Sequence, residues 1–248
     1  MESIFMTDRG KVRPHNEDSG GAFHSENGPL LAVVADGMGG HRAGDVASLM
    51  AVSLLKESWD SAAQVDNPGH AETLLESVFQ KVNSAVFEYA RDHSECEGMG
   101  TTMVGAVCTA DFFTIASVGD SRGYIFNQNG FRQVTEDHSL VQELVKSGEI
   151  TQEDAEHHPR KNVLTRAIGT EPAITADINT IGWDEGDALL LCSDGLSNKV
   201  TIEQMNKVLA EEGPLHSKAE KLIEMANDLG GEDNITLAIV RNTAPESR

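Results

Sequence analysis

The order of strand-like and helix-like segments most restricts what this chain can fold into. Apolar runs rich in β-branched residues predict strands, and apolar side chains at helical spacing predict helices. The predicted strands span residues 30–35, 101–109, 112–118, 124–127, 188–192 and 235–240. Helical spacing covers residues 47–55, 75–89 and 219–226. Strands and helices therefore occur in blocks, whereas a doubly wound parallel sheet would alternate them regularly, so the order predicts an α+β layered fold.

Acidic residues recur where the predicted strands end or begin. They are Asp36, Asp120, Asp194 and Asp233, and a further acidic pair, Glu17-Asp18, follows Arg13-Pro14 near the N-terminus. Carboxylates that converge at the edge of a sheet repel one another, and burial adds a desolvation cost that a divalent cation relieves. An Asp-Gly dipeptide alone indicates a turn more often than a metal site. Taken together, the set predicts a metal site. Oxygen ligands without His or Cys favour Mg²⁺, Mn²⁺ or Ca²⁺ over Zn²⁺, and Gly37 can add a carbonyl oxygen.

Two oxygen-bound metal ions suit phosphoryl chemistry. Such ions lower the pKa of a shared water and neutralise charge on a phosphoryl group. Phosphoryl transfer otherwise needs mainly positioning and charge stabilisation. Arg13 lies four residues before Glu17 and is the candidate for a bidentate contact with phosphate.

Rival motifs are less consistent with their surroundings. Residues 119–123 match the G-x-S-x-G nucleophile elbow around Ser121, but a strand follows where that elbow needs a helix. Cys192 is followed by no arginine up to residue 199, so it is predicted to be a core residue rather than a nucleophile. The segment after Asp36 resembles a dinucleotide fingerprint, but its third glycine position holds Arg42. No phosphate-binding G-x-x-x-x-G-K-[ST] loop occurs, and His157-His158 is predicted to be solvated rather than metal-bound.

Composition narrows the partners and the compartment. The 248 residues include 40 acidic and 19 basic side chains, a formal net charge of −21, which argues against binding to nucleic acid or anionic lipid. Three widely spaced cysteines suit a reducing compartment. The N-terminus lacks the apolar core of a signal peptide, and no run is long enough to span a membrane. We expect a cytoplasmic protein with one domain over residues 1–241 and a frayed tail over residues 242–248.

Six short motifs occur in an order that resembles a known family. They are RPHNED at 13–18, VADGMGGH at 34–41, GMGTT at 98–102, GDSR at 119–122, CSDG at 192–195 and GEDN at 231–234. This series is similar to the metal-dependent serine/threonine protein phosphatases of type 2C, the PPM family, and to its bacterial PrpC-type branch. The resemblance covers nearly the whole chain. It implies a four-layer α-β-β-α sandwich of two antiparallel sheets flanked by helices.

The resemblance also implies roles for individual residues. Asp36 would bridge two Mn²⁺ or Mg²⁺ ions, with the carbonyl of Gly37 as a further ligand. Asp194 and Asp233 would bind one ion, and Glu17, beside Asp18, would reach the other mostly through water. A third, weaker ion would be held by Asp120 and Asp194. Arg13 would bind the phosphate. Hydrolysis of phosphoserine or phosphothreonine would be direct, without a phosphoenzyme.

Other expectations concern the general acid and the partners. Eukaryotic-type members carry a histidine where this chain has Met38, so His41 is the nearest candidate to protonate the leaving oxygen. Residues 145–166 match a flap beside the cleft. Bacterial relatives oppose a membrane serine/threonine kinase with PASTA domains, so phosphorylated proteins including such a kinase are the expected partners of a monomeric enzyme. The alternative is a metal-binding, phosphatase-like regulatory domain without catalysis.

Overall fold

Two antiparallel β-sheets form the centre of the molecule. The computed structural model describes residues 1–25, 28–40, 43–62 and 65–243. The strands are β1 (Glu2–Asp8), β2 (Asp18–His24), β3 (Leu30–Met38), β4 (Gly100–Thr101), β5 (Met103–Cys108), β6 (Phe112–Val118), β7 (Arg122–Asn127), β8 (Gly130–Gln133), β9 (Asp177–Gly182), β10 (Ala188–Cys192) and β11 (Ile235–Arg241). Sheet A has the order β1-β11-β10-β7-β8, and sheet B has the order β2-β3-β5-β6-β9, with β4 paired to β3.

Helices cover the outer face of each sheet. The covering helices are α1 (Ala43–Asp60), α2 (Pro68–Asp92), α6 (Ile202–Ala210) and α7 (Leu215–Asp228). Three shorter helices are α3 (Leu140–Lys146), α4 (Gln152–His157) and α5 (Asp194–Ser197). Apolar side chains of α1 and α2 pack against sheet B, and those of α6 and α7 pack against sheet A. A third cluster joins the inner faces of the two sheets. The layers are therefore α-β-β-α, and the predicted fold class is confirmed.

The long apolar runs follow from burial on both faces of a strand. In β3, Leu30, Ala32 and Val34 face the other sheet, whereas Leu31 and Val33 pack with α1 and α2. The same alternation occurs in β10. Antiparallel strands often have one polar face, but these strands are covered by a sheet on one side and by helices on the other. Their sequences are consequently apolar throughout.

Several elements depart from the sequence-based expectation. The predicted strand 101–109 is divided at Thr102, whose backbone N–H bonds to the carbonyl of Asp36 instead of continuing the ladder. Strands β1, β2, β8 and β9 were not predicted. In β2 the pair Gly20-Gly21 weakens the β-propensity, yet Gly20 is needed there because a side chain would overlap the ring of Phe5.

The segment between β8 and β9 carries α3 and α4, and residues 145–166 begin within α3. The part that carries α3 and α4 forms a closed loop, because Ser139, just before α3, and Leu164, after α4, form an antiparallel bridge. At the C-terminus, order extends beyond residue 241: Asn242 is buried and its side chain donates to the carbonyl of Ala110. Residues 244–248 lie outside the described residues. Among the helices described, none combines the length and the apolar character needed to cross a membrane.

Candidate metal centre

Five aspartates meet at one end of the two sheets. Asp36 lies near the end of β3, and Asp120 follows β6 of the same sheet. Asp194 follows β10 and begins α5, while Asp233 lies just before β11. Asp18 begins β2, where it stands directly opposite Asp36. The charges of the other four all act on Asp36, so the structure brings together residues that are far apart in sequence.

Burial and mutual repulsion make these carboxylates reluctant to ionise. Burial, reinforced by the charges of neighbouring aspartates, raises the pKa of Asp36 well above its usual value. Burial likewise raises the pKa of Asp18 to about 7 and that of Asp120 to about 7. The pKa of Asp194 is raised for the same reason, although a hydrogen bond with Asp36 opposes the change. A divalent cation between these groups would reverse this balance by favouring their charged forms.

The oxygens of the cluster fit a hard cation. Asp18 Oδ2 accepts a 2.8 Å hydrogen bond from Ser193 Oγ, but Asp18 Oδ1 is buried with no partner among the described residues. Asp194 Oδ1 is in the same situation within the described part of the chain. Buried carboxylate oxygens normally have a hydrogen-bond partner or a metal ion. In the described ranges no three ligating side chains converge closely enough to hold an ion without adjustment. All of these side-chain donors are carboxylate oxygens, which is the ligand type that Mg²⁺ and Mn²⁺ prefer, so the donor set fits either ion chemically.

Arg13 and Glu17 lie on the rim of the cluster. Arg13 Nη2 donates a 2.7 Å hydrogen bond to Asp233 Oδ2, and half of the Arg13 side chain is exposed. That hydrogen bond, with the charges of Asp36 and Glu17 adding to it, raises the pKa of Arg13. Partial burial raises the pKa of Glu17, which Asp45 in the first turn of α1 raises further. Arg13 therefore contacts one predicted metal ligand, Asp233, directly.

Two glycines allow the acidic loops to approach one another. A Cβ atom at Gly37 would overlap the carbonyl oxygens of Gly44 and Glu17, which places the start of α1 against β3. A Cβ atom at Gly195 would overlap the carbonyl oxygen of Asn234. Only glycine permits such close backbone packing at these positions. The Asp-Gly pairs are therefore structural requirements of the cluster, beyond any tendency to form turns.

Asn234 connects the N-terminal loop with the loop of Asp233. Its Oδ1 accepts a 2.8 Å hydrogen bond from the backbone N–H of Glu17. Its Nδ2 donates to the carbonyls of Arg9 and His15, at 2.8 Å and 3.0 Å. Its own backbone N–H donates to Asp233 Oδ1. One buried amide side chain therefore fixes the position of Glu17 relative to Asp233.

Comparisons with known proteins agree with this geometry. The profile of the family Protein phosphatase 2C matches residues 10–233. The serine/threonine phosphatase stp of Listeria welshimeri is 47% identical over 249 residues, covering 100% of this chain and 99% of that protein. The crystal structure of serine/threonine phosphatase Stp1 from Staphylococcus aureus superposes with a TM-score of 0.92 at 37% identity, covering 97% of this chain and 94% of that one. The chain belongs to the protein phosphatase 2C family.

This assignment decides between the two functional predictions. The chain is a serine/threonine protein phosphatase of a metal-dependent family, and the non-catalytic alternative is not supported because the similar proteins are named as phosphatases. Another similar structure is the catalytic domain of the phosphatase PstP in complex with 2 manganese ions. It has a TM-score of 0.84 at 32% identity and covers 96% of each chain.

The residues of the rival motifs, Ser121 and Cys192, have structural roles in this phosphatase. Ser121 lies between strands β6 and β7, so it is not on a strand-to-helix elbow. It is buried and hydrogen-bonds to Thr102 Oγ1 at 2.7 Å. Cys192 is buried between β10 and the helices of sheet A, and burial raises its pKa to about 12. Neither group is activated as a nucleophile. His41 lies outside the described residues.

A groove of about 860 Å³ runs from the acidic cluster of the phosphatase beneath α3 and α4. Asp120 and Asp194 line it together with Lys161, Lys199 and Glu203. Arg122 lies in the wall as well, where its guanidinium donates to both oxygens of Asp137. Since two predicted metal ligands line the groove, a peptide bound in it would contact the acidic cluster.

Sequence reasoning missed several residues around this centre. Asp45 contributes a buried oxygen, Oδ1, that has no partner among the described residues, and its only sequence signal is an acidic residue in the first turn of a helix. Asn234 was recognised as part of a motif without a role. The contacts of His138 with Gly119 are long-range and leave no local signal.

Proposed function

We propose that this phosphatase hydrolyses phosphoserine and phosphothreonine in proteins directly, using two Mn²⁺ or Mg²⁺ ions and no phosphoenzyme. The observation that carries the proposal is the pair of buried, unpartnered oxygens on Asp18 and Asp194, within a described cluster of aspartates whose pKa values are raised. A cluster of this kind is costly unless it binds a cation. The two manganese ions of the PstP structure support the same stoichiometry here.

The proposed ligands follow the positions of the donors. Asp36 would serve both ions, with the carbonyl of Gly37 as a further ligand. Asp194 and Asp233 would serve one ion, and Glu17, beside Asp18, would reach the other mostly through water. A third, weaker ion belongs to Asp120 and Asp194. The bound ions supply an activated water and neutralise charge on the phosphoryl oxygens. The strands β3 and β10 and the close glycine contacts fix the backbone that carries Asp36 and Asp194, so only side-chain adjustment would be needed to bind the ions.

Arg13 is proposed to orient the phosphate. Its guanidinium is exposed on one side and offers a planar set of donors that suits two phosphate oxygens. His41 is proposed to donate the proton to the serine or threonine oxygen that leaves, directly or through water. Ser121 and Cys192 have no part in the chemistry, because both are buried in contacts of the fold.

The substrate is proposed to lie in the groove beneath α3 and α4. Residues 1–241 would act as one domain, and the flap, residues 145–166, would contact the phosphoprotein beside the phosphate. The groove connects that segment with Asp120 and Asp194, which supports this position. Basic residues next to the phosphorylated side chain would favour binding, because the protein as a whole is strongly acidic.

The proposed cellular partners are phosphorylated proteins, including a serine/threonine kinase with PASTA domains whose autophosphorylation the enzyme would reverse. The enzyme would act as a cytoplasmic monomer. Its three cysteines are free and buried, which suits a reducing compartment. The strong negative charge gives no support to a role on nucleic acid.

The test uses metal-stripped protein with p-nitrophenyl phosphate and a phosphothreonine peptide. Mn²⁺ and Mg²⁺ are titrated into wild type, Asp36→Asn and the control Asp66→Asn, which changes an exposed aspartate between α1 and α2. We expect turnover that requires metal, is abolished by EDTA, and is lost in Asp36→Asn but not in Asp66→Asn. Acid quenching during turnover of a ³²P-labelled peptide should trap no labelled protein. A covalent phosphoenzyme, or turnover without metal, would contradict the mechanism.

A further inference from the structure

His138 is a buried histidine outside the acidic cluster. It lies between β8 and α3 and only 2% of its surface is exposed. Its backbone N–H donates to the carbonyl of Gly119 at 2.9 Å, and the N–H of Gly119 donates to His138 Nδ1 at 3.1 Å. Nε2 lies 3.0 Å from Oδ2 of Asp177, whose other oxygen accepts a hydrogen bond from Arg166. Both ring nitrogens are therefore engaged in contacts within the protein.

These contacts define the tautomer of the ring. A backbone N–H can only donate, so His138 Nδ1 must be the acceptor without a proton. The proton of the neutral ring then lies on Nε2, where it is donated to Asp177. Burial lowers the pKa of His138, which agrees with a neutral ring. With both nitrogens occupied, the ring has none available to exchange a proton with a substrate.

The contact with Gly119 acts on the residue that follows it. Gly119 has a φ of +103°, and a side chain there would overlap Thr102. The turn that carries Asp120 is thus confined by Thr102 on one side and hydrogen-bonded twice to His138. His138 also accepts, through its carbonyl, a hydrogen bond from the N–H of Thr165 at the far end of the flap. His138 consequently joins the flap to the turn before Asp120.

We propose that His138 is a positioning residue for Asp120: its unprotonated Nδ1 holds the Gly119 turn so that the Asp120 carboxylate is in place to bind the third metal ion. This inference rests on the proposed function, in which Asp120 is a metal ligand. Of the two ring nitrogens, Nδ1 is the one that holds the Gly119 turn. The hydrogen bond from Nε2 to Asp177 keeps the ring in its tautomer and orientation.

Two substitutions separate the contributions of the nitrogens. The amide oxygen of His138→Asn can take the place of Nδ1 and accept from Gly119, but the side chain is too short to reach Asp177. The amide nitrogen of His138→Gln takes the place of Nε2 and can donate to Asp177, but leaves the N–H of Gly119 without an acceptor. His24→Gln changes an exposed histidine of β2 and serves as the control.

The measurement is Mn²⁺ binding to metal-stripped protein by isothermal titration calorimetry, which does not depend on activity. We expect Asp120→Ala to weaken the lowest-affinity site and His138→Gln to weaken that site about tenfold, because the turn that carries the ligand is no longer held in place. His138→Asn and His24→Gln should bind as wild type does. In the double variant His138→Gln/Asp120→Ala, the histidine change should have no further effect on Mn²⁺ affinity.

The possible results distinguish a failure of this inference from a failure of the proposed function on which it rests. Equal Mn²⁺ binding by wild type and His138→Gln, with weaker binding by Asp120→Ala, overturns the inference alone. Wild-type binding by Asp120→Ala overturns the proposed role of Asp120 as a ligand, and the inference with it. A greater loss of Mn²⁺ affinity in His138→Asn than in His138→Gln would mean that the contact with Asp177 is the important one, and would also overturn the inference. Ring ¹⁵N chemical shifts of the metal-stripped protein give an independent test, since a proton on Nδ1 contradicts the proposed tautomer.

Discussion

The guanidinium of Arg13 is hydrogen-bonded to the carboxylate of Asp233, so the residue proposed to bind phosphate is held by a residue proposed to bind metal. Both side chains are partly exposed, and an ion pair of this kind contributes about 0–1 kcal/mol to stability. A cation bound to Asp233 would compete with Arg13 for the same carboxylate. Metal binding would thereby free the guanidinium for the phosphate.

Substitution of Arg13 should therefore affect catalysis far more than stability. We expect Arg13→Ala to reduce kcat/KM for a phosphothreonine peptide by about 100-fold, the effect of losing a charge-assisted contact with phosphate. The free energy of unfolding should change by less than about 1 kcal/mol, because the pair with Asp233 is exposed. Steady-state kinetics in saturating Mn²⁺ and urea unfolding measure the two quantities. A loss of activity that merely follows a loss of stability would contradict the role.

Arg13→Lys provides the matched comparison. It keeps the charge but loses the planar pair of donors, so it should lie between wild type and Arg13→Ala in kcat/KM. Full activity in Arg13→Lys would mean that the charge alone matters. Arg132→Lys, in the short strand β8, controls for the general effect of exchanging an arginine.

The free energy of unfolding should depend on pH because the buried Asp18 carboxylate is costly to ionise. Its pKa in the folded protein is about 7, above its unfolded value, so the unfolded state loses this proton first as the pH rises. The stabilising contribution is complete below pH 4 and is lost between pH 4 and about pH 7. In EDTA, Asp18→Asn should become more stable than wild type as the pH increases, by a few kcal/mol at pH 8, since each pKa unit corresponds to about 1.4 kcal/mol.

Urea unfolding of both proteins at pH 5, 6, 7 and 8 measures this difference. Asp66→Asn serves as the exposed control and should keep the wild-type pH profile. Parallel profiles for wild type and Asp18→Asn would show that Asp18 ionises normally and would contradict the cause given for its raised pKa. Saturating Mn²⁺ should reverse the order of stability at pH 8, because the ion favours the charged carboxylate.

Asn234 should affect both stability and metal activation, because its side chain links the loop of Glu17 to the loop of Asp233. Asn234→Ala removes the acceptor of the Glu17 N–H and the donor to the carbonyls of Arg9 and His15. Unsatisfied buried groups of this kind cost about 1–3 kcal/mol each, so we expect a loss of about 3 kcal/mol in the free energy of unfolding. The Mn²⁺ concentration for half-maximal activity should rise about tenfold, because Glu17 and Asp233 are no longer held together. Asn129→Ala, in the exposed turn before β8, should change neither quantity; loss of stability with unchanged Mn²⁺ activation would contradict the link to the metal site.

The acidic cluster was predictable because its signal is local. An aspartate at the end of a buried strand is visible in sequence, and the strand carries it to the end of the sheet without further information. Asp36 and Asp194 illustrate this, since each follows a run that is apolar on both faces. The two-layer helix covering was predictable from the same runs together with the family resemblance.

The remaining parts depend on contacts that sequence does not display. The edge strand β2 contains two glycines, so its residues do not favour a strand, and only its pairing with β3 identifies it. That pairing is what places Asp18 opposite Asp36. His138 and Asn234 act through hydrogen bonds to backbone groups far away in the chain. Backbone partners carry no residue identity, so a pattern of side chains cannot reveal them.

The choice of nucleophile gives the most decisive comparison among single variants. Ser121 and Cys192 are the side chains that sequence motifs offered as nucleophiles, and both are buried in contacts of the fold. We expect Ser121→Ala and Cys192→Ala to keep kcat within about tenfold of wild type. Ser121→Ala should lose about 1 kcal/mol of stability with its hydrogen bond to Thr102. Asp36→Asn should lose at least about 1,000-fold in kcat, because it removes a charge that is proposed to bind the metal ions. It should remain folded, because asparagine has nearly the same shape and keeps the packing contacts. Hydrolysis of the phosphothreonine peptide in Mn²⁺, with circular dichroism to confirm folding, measures all three; abolished turnover in Ser121→Ala with the fold intact would return the nucleophile to that serine.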